Sequence, residues 1–202
     1  MKTLPENIQI VIFDLDGTLV DAYQAITDSI NFMMRKLGRP RQTLKMVTRS
    51  VGHGVEGLIR CFIEEERVAE ALKIFRAHHD QRLRRKLRIM PGARALLASL
   101  KKRGCRMAIA SNRPSKFCHI IIEQLGIDHY FDWVICADAV KNAKPAPDVL
   151  RAILKAAKLK PAQAVYVGDM TVDLLCGRRA RVFTVIVPTG SSTLAELKAL
   201  KP

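Results

Sequence analysis

Val11-Ile12-Phe13-Asp14-Leu15-Asp16-Gly17-Thr18-Leu19 is the stretch on which the reading of this chain turns. Its apolar, partly β-branched start reads as a buried strand, and the strand ends on two acids with one residue between them. Side chains alternate along extended backbone, so both carboxylates start on the same side of the chain. In an open α/β sheet, ligands bind just past the carboxyl ends of the strands. Two acids held together there repel each other, and the pairing makes sense only if a cation lies between them or one keeps a proton. An Asp-rich turn capping the next helix explains one acid and Gly17, but not two acids after a buried strand.

Working outward, residues 106–110, 133–136, 164–167 and 183–187 join 9–13 as predicted strands. Runs this uniformly apolar suit a parallel sheet covered on both faces. Residues 93–103, 116–125, 148–157 and 173–179 between them read as helices, and the alternation predicts an α/β fold of three layers. One interval is too long. About ninety residues separate the first strand from the second, whereas a simple βαβ unit takes about thirty. The excess has helical spacing at Ile26, Ile30, Met33 and Leu37, at Leu58, Ile59, Phe62 and Ile63, and at Val68, Leu72 and Phe75. It predicts a small all-helical domain of residues 21–88 inserted into a core of residues 1–20 and 89–202. The connections fall near residues 20–21 and 89–91.

A second acidic cluster lies in Val165-Tyr166-Val167-Gly168-Asp169-Met170-Thr171-Val172-Asp173. Asp169 closes the predicted strand, and Asp173 follows it by one helical turn on the same face. If this strand neighbours the first, four carboxylates meet in one crevice, an all-oxygen environment of the kind magnesium prefers. Read alone, the segment is also explained by a helix-capping Asp and a surface Asp. Ser111-Asn112 follow the second core strand and offer hydroxyl, amide and backbone N–H donors for a phosphate. Lys144, in Asn142-Ala143-Lys144-Pro145-Ala146-Pro147-Asp148, is a cation in a proline-stiffened loop before a helix.

Taken in order, D-x-D-G-T, S-N, K-P and G-D-x-x-x-D resemble the haloacid dehalogenase superfamily of phosphohydrolases, over essentially the whole chain. The closest likeness is to its phosphoglycolate-phosphatase-like members, through Ser111-Asn112-Arg113-Pro114, Lys144-Pro145-Ala146-Pro147-Asp148 and Pro188-Thr189-Gly190-Ser191-Ser192. The resemblance implies a Rossmann-like α/β/α core with a helical cap between the first and second motifs. It implies Asp14 as nucleophile, Asp16 as general acid and then base, and Ser111 and Lys144 on the phosphoryl oxygens. It also implies Mg2+ held by the Asp14 carboxylate, the Asp16 carbonyl and Asp169, with Asp173 ligating directly or through water. An acid at Asp16 separates phosphatases and phosphomutases from similar dehalogenases, whose halide leaves without a proton. The implied substrate is a small phosphorylated metabolite, with 2-phosphoglycolate leading over sugar phosphates, nucleotides and pyrophosphate.

Other features carry less. Val51-Gly52-His53-Gly54-Val55-Glu56-Gly57 contains G-x-G-x-x-G but heads no βαβ unit, so a dinucleotide site is rejected. The resemblance makes it a cap loop, with His53 and Arg49 as candidate substrate contacts; a plain helix–helix connection explains it equally. Arg113 is a candidate substrate contact or a surface salt bridge. His78 and His79, adjacent on a helix, point in different directions and make a poor metal site. Ala22 and Arg181 depart from residues often Ser and Gly in relatives. Lys and Arg number 34 against 19 acids, for a net charge of +15, partly in runs at 82–88, 101–103 and 178–181. Such a field draws anions and allows weak nonspecific nucleic-acid binding, but no zinc-finger spacing or aromatic pattern builds a nucleic-acid site. A catalytically inactive interaction protein is disfavoured by the full motif set. Five cysteines without metal-ligand spacing, no signal-like start and no membrane-length apolar run point to a cytoplasmic protein. Oligomeric state is not readable.

Overall fold

In a computed structural model, which describes residues 5–83 and 87–201, strand β1 (Ile10–Phe13) is the middle of a five-stranded sheet. Every pairing in that sheet is parallel. β2 (Val20–Asp21) and β3 (Arg88–Ile89) form a separate antiparallel ribbon. β4 (Arg106–Ser111), β5 (Trp133–Cys136), β6 (Ala164–Gly168) and β7 (Phe183–Ile186) complete the large sheet in the order β5-β4-β1-β6-β7. The strand of the second acidic cluster therefore does neighbour the first.

All four β1 side chains are buried because both faces of the sheet are covered. Alternation divides them. Ile10 and Ile12 join a cluster with Val149, Leu150 and Ile153 of one covering helix and Cys176 of another, whereas Val11 and Phe13 pack with Leu97, Phe117 and Ile121 on the opposite side. The three layers are thus the sheet, two helices before it and two behind.

The inserted segment holds α1 (Tyr23–Lys36), α2 (Leu44–Ser50), α3 (Gly54–Arg60) and α4 (Val68–Leu83). α5 (Ala93–Lys102) and α6 (Ser115–Gln124) cover the Phe13 face, and α7 (Asp148–Ala157) and α8 (Thr171–Ala180) cover the other. A short α9 (Leu194–Ala199), absent from the sequence reading, follows β7. The apolar stripe of α1 (Ile26, Ile30, Met33) meets Ala71 and Phe75 of α4, and this packing is continuous with the core under Phe13. The connections expected at residues 20–21 and 89–91 are the ribbon itself, with Val20 opposite Ile89 and Asp21 opposite Arg88. Within the basic run at 82–88, Arg84, Arg85 and Lys86 lie outside the described residues, as do Met1 to Leu4. Among the described residues, no helix is long and apolar enough to cross a membrane.

Candidate active site

Register brings the first residues together. Phe13 lies opposite Ile109 of β4 and Val167 of β6, so the three strands end within two residues of one another and bring Asp14, Ser111 and Asp169 to the same edge of the sheet. The Asp14 N–H donates to the Val167 carbonyl at 2.8 Å, which ties the Asp14 backbone to β6 one residue past the end of β1.

Lys144 enters this edge from the loop before α7. Its Nζ lies 2.6 Å from Asp14 Oδ1, 2.7 Å from Asp173 Oδ1, 2.9 Å from Tyr166 Oη and 3.0 Å from the Ala110 carbonyl, so its three hydrogens are shared among four acceptors. Burial alone would release its proton, but the Asp14 and Asp173 carboxylates outweigh burial and hold the ammonium firmly charged. Tyr166 Oη donates to Asp173 Oδ1 at 2.6 Å, and Asp173 Oδ2 accepts the N–H groups of Asp169 and Met170 at 3.2 and 3.0 Å. A carboxylate has about four lone-pair positions, and those of Asp173 are all taken.

Asp169 is different. Its Oδ1 accepts from Thr18 Oγ1 at 2.8 Å, while its buried Oδ2 has no hydrogen-bond partner among the described residues. Two loops close over that oxygen, and a Cβ on Gly190 would stand 1.4 Å from it and one on Gly17 2.5 Å. Only bare backbone fits. Carboxylate oxygens of Asp14, Asp169 and Asp173 lie within 4.8 Å of one another, with Lys144 the cation among them. Burial raises Asp14 to about 7, with Lys144 pulling it down and Asp173 pushing it up. Burial, then the charges of Asp14 and Asp173, raise Asp169 to about 9. The site is short of positive charge.

Asp16 faces another partner. Arg113 Nε donates to its Oδ2 at 2.8 Å and Arg113 Nη2 to its Oδ1 at 2.7 Å, a bidentate pair with both side chains largely out of water. The surface salt bridge weighed for Arg113 is therefore a buried one, made to a motif residue. Arg113 Nη1 reaches His79 Nε2 at 3.0 Å. His78 and His79 do not diverge as expected from adjacency, because Ser29 Oγ stands between them at 3.2 and 3.0 Å from their Nδ1 atoms.

The remaining candidates separate. Ser111 Oγ accepts the Arg113 N–H at 3.2 Å and keeps its own hydrogen to donate. The Asn112 side chain is not free for phosphate: it donates to the Gly52 and Lys144 carbonyls at 2.8 and 2.9 Å and accepts the Lys144 N–H at 2.8 Å. It buckles the lysine loop to the inserted segment. His53 is exposed and Arg49 turns to Glu196 at 3.8 Å, and neither lines the cavity. The loop does face the site, through Val51, Gly52, Gly54 and Val55. The cavity, of about 60 Å³, is walled by Asp14, Asp16, Ser111, Arg113 and Lys144 from the core and by Leu58, Phe75 and His79 from the insert.

Thr18, Tyr166 and His79 were not singled out as site residues in the sequence. Tyr166 carried a signal: a tyrosine in a strand buried on both faces must find a partner for its hydroxyl.

A family model described as haloacid dehalogenase-like hydrolase matches residues 11–187. A phosphoglycolate phosphatase of Pseudomonas fluorescens is 32% identical over 191 residues, covering 90% of this chain and 70% of that protein. The plasmid phosphoglycolate phosphatase of Cupriavidus necator is 31% identical over 196 residues, covering 94% and 85%. Among solved structures, a predicted phosphoglycolate phosphatase from Haemophilus somnus superposes with a TM-score of 0.91 at 25% identity, covering 96% of this chain and 92% of that one.

Proposed function

The chain belongs to the haloacid dehalogenase-like hydrolases and is a phosphatase, and on that premise we propose that it hydrolyses 2-phosphoglycolate, or a phosphorylated metabolite of similar size, through a phospho-aspartate on Asp14. The observation that carries this reading is the setting of Asp14. Lys144 holds its Oδ1 at 2.6 Å, and the residue lines the cavity beside Asp16, Ser111 and Arg113.

In the first step Asp14 Oδ2 bonds to phosphorus, the bond from phosphorus to the leaving oxygen breaks, and Asp16 gives that oxygen a proton. In the second, water attacks phosphorus, Asp16 takes its proton, and the bond to Asp14 breaks to release phosphate. Lys144 and the Ser111 hydroxyl steady the phosphoryl oxygens and offset their repulsion from Asp14. The substrate choice is supported by the relatives' activity and by the small cavity.

The donor set fits Mg2+. Three carboxylates surround the Lys144 ammonium, and among the described residues Asp169 Oδ2 has no hydrogen-bond donor. The Asp14 and Asp169 carboxylates and the Asp16 carbonyl would hold the ion, which when bound supplies charge neutralisation and polarises a phosphoryl oxygen. Asp173, with its lone pairs taken, acts by fixing Lys144, Tyr166 and the turn after β6. Residues 1–20 and 89–202 form the catalytic core in this reading, and 21–88 the cap that selects substrate.

Phosphate release from a panel of phosphorylated metabolites, with Mg2+ and with excess chelator, tests the proposal. The expected result is release from 2-phosphoglycolate above the others, lost on chelation. It should fall by on the order of 10³-fold or more in Asp14→Asn, which is nearly isosteric. Wild-type rates in that variant would remove Asp14 as nucleophile.

A further inference from the structure

Arg113 is where the core and the inserted helices meet in the active site, and its hydrogens can be assigned. Guanidinium nitrogens only donate, so His79 Nε2, 3.0 Å from Arg113 Nη1, must accept. His79 Nδ1 then carries the hydrogen and donates to Ser29 Oγ at 3.0 Å, and Ser29 passes its own to the Ala25 carbonyl at 2.9 Å. The chain of bonds runs from α1 through α4 to the loop after β4, and ends on both oxygens of Asp16.

His79 is suited to this as a neutral acceptor. It is wholly buried, stacked on Phe75 at 4.7 Å and edge-on to Phe117 at 5.1 Å, so its ring cannot turn. Burial, and then the adjacent Arg113 charge, drive its pKa down to about 2. A histidine kept for core packing alone would have no need to place a bare nitrogen against a buried arginine.

We infer that His79 is a positioning residue for Asp16: by holding Arg113 Nη1 it fixes the roll of the guanidinium, so that Nε and Nη2 aim the Asp16 carboxylate. Because Ser29 and His79 both belong to the inserted segment, this alignment exists only while that segment is seated on the core. Nothing in the fold requires the coupling, since Asp16 and Arg113 are both core residues and could pair without it. The inference rests on the role proposed for Asp16 as acid and base.

A leaving-group comparison tests it. Departure of an alkyl oxygen needs a proton from Asp16, whereas p-nitrophenolate leaves without one. In His79→Phe, which the neighbouring phenylalanines can accommodate, kcat/KM for 2-phosphoglycolate should fall on the order of 10-fold further than kcat/KM for p-nitrophenyl phosphate. His79→Gln, whose amide oxygen can accept from Arg113, should recover most of the difference. Equal losses on both esters, or a glutamine variant no better than phenylalanine, would overturn the assignment. A second arm needs no turnover. Nitrogen-15 spectra of the histidine rings should show His79 neutral, protonated on Nδ1, from about pH 5 to 8, and its Nε2 signal should move in Arg113→Lys. A charged ring, or a proton on Nε2, would likewise overturn it. If the wild type does not cleave 2-phosphoglycolate, the substrate reading fails, and the spectra alone decide whether His79 holds Arg113.

Discussion

Asp14 and Asp169 lie beside Asp173 and the Lys144 ammonium; burial lifts Asp14 to about 7, against the pull of Lys144 and with a push from Asp173, and burial with the charges of Asp14 and Asp173 lifts Asp169 to about 9. Raised carboxylates favour the folded state in their protonated form. That contribution is complete below their ordinary value of 3.8 and is lost as pH climbs through about 7 and then about 9. A divalent cation binds the deprotonated pair, so its stabilisation should grow over the same window. The unfolding temperature is therefore expected to rise more on adding MgCl2 at about pH 8.5 than at about pH 5.5, and equal shifts would argue against these two acids as ligands. Asp14, Asp16, Ser111, Lys144, Asp169 and Asp173 could be picked out in the sequence because strand ends and spacing fix where each backbone position falls. Where a side chain points could not. Asn112 spends its amide on two carbonyls, Arg49 turns to Glu196 and Arg113 turns inward to Asp16, each by contacts between segments far apart in the chain, and His53 is exposed.

Among the elements, the five core strands and four covering helices were legible because each is an apolar or amphipathic run closed by a turn residue. α9 was missed as too short to show a period, although Thr193 and Glu196 bracket its start as a capping box. The ribbon had no signature in the sequence, because two-residue strands have no pattern of their own and only their pairing defines them. Arg181, noted where relatives often carry glycine, closes α8 in the left-handed region at φ 59°. That conformation disfavours any residue with a Cβ. Arg181 is exposed, so little packing is lost on truncation. Arg181→Gly should stabilise the protein by about 0.5–1 kcal/mol, the relief of strain exceeding the added freedom of the unfolded chain. Urea unfolding checks this, and a lower midpoint would show that the arginine side chain contributes more than its backbone costs.

At the scale of the whole molecule, the net charge of +15 should act on encounter rather than on chemistry. Part of the excess sits at the last turns of α5 and α8, where cations also suit the helix carboxyl ends. For a dianionic monoester, kcat/KM should fall several-fold between about 20 and 300 mM salt while kcat stays nearly constant. A flat profile would mean that the basic faces lie too far from the cavity to steer substrate. The paired strands between core and insert have a mechanical meaning as well. A lid on one tether can swivel in any direction, whereas two tethers zipped side by side leave it little more than a tilt about one axis. Val20 and Ile89 form such a joint. If residues 21–88 act as the proposed cap, such a joint would return them along the same arc after each opening and bring Ser29 and His79 back into line with Arg113 without a search.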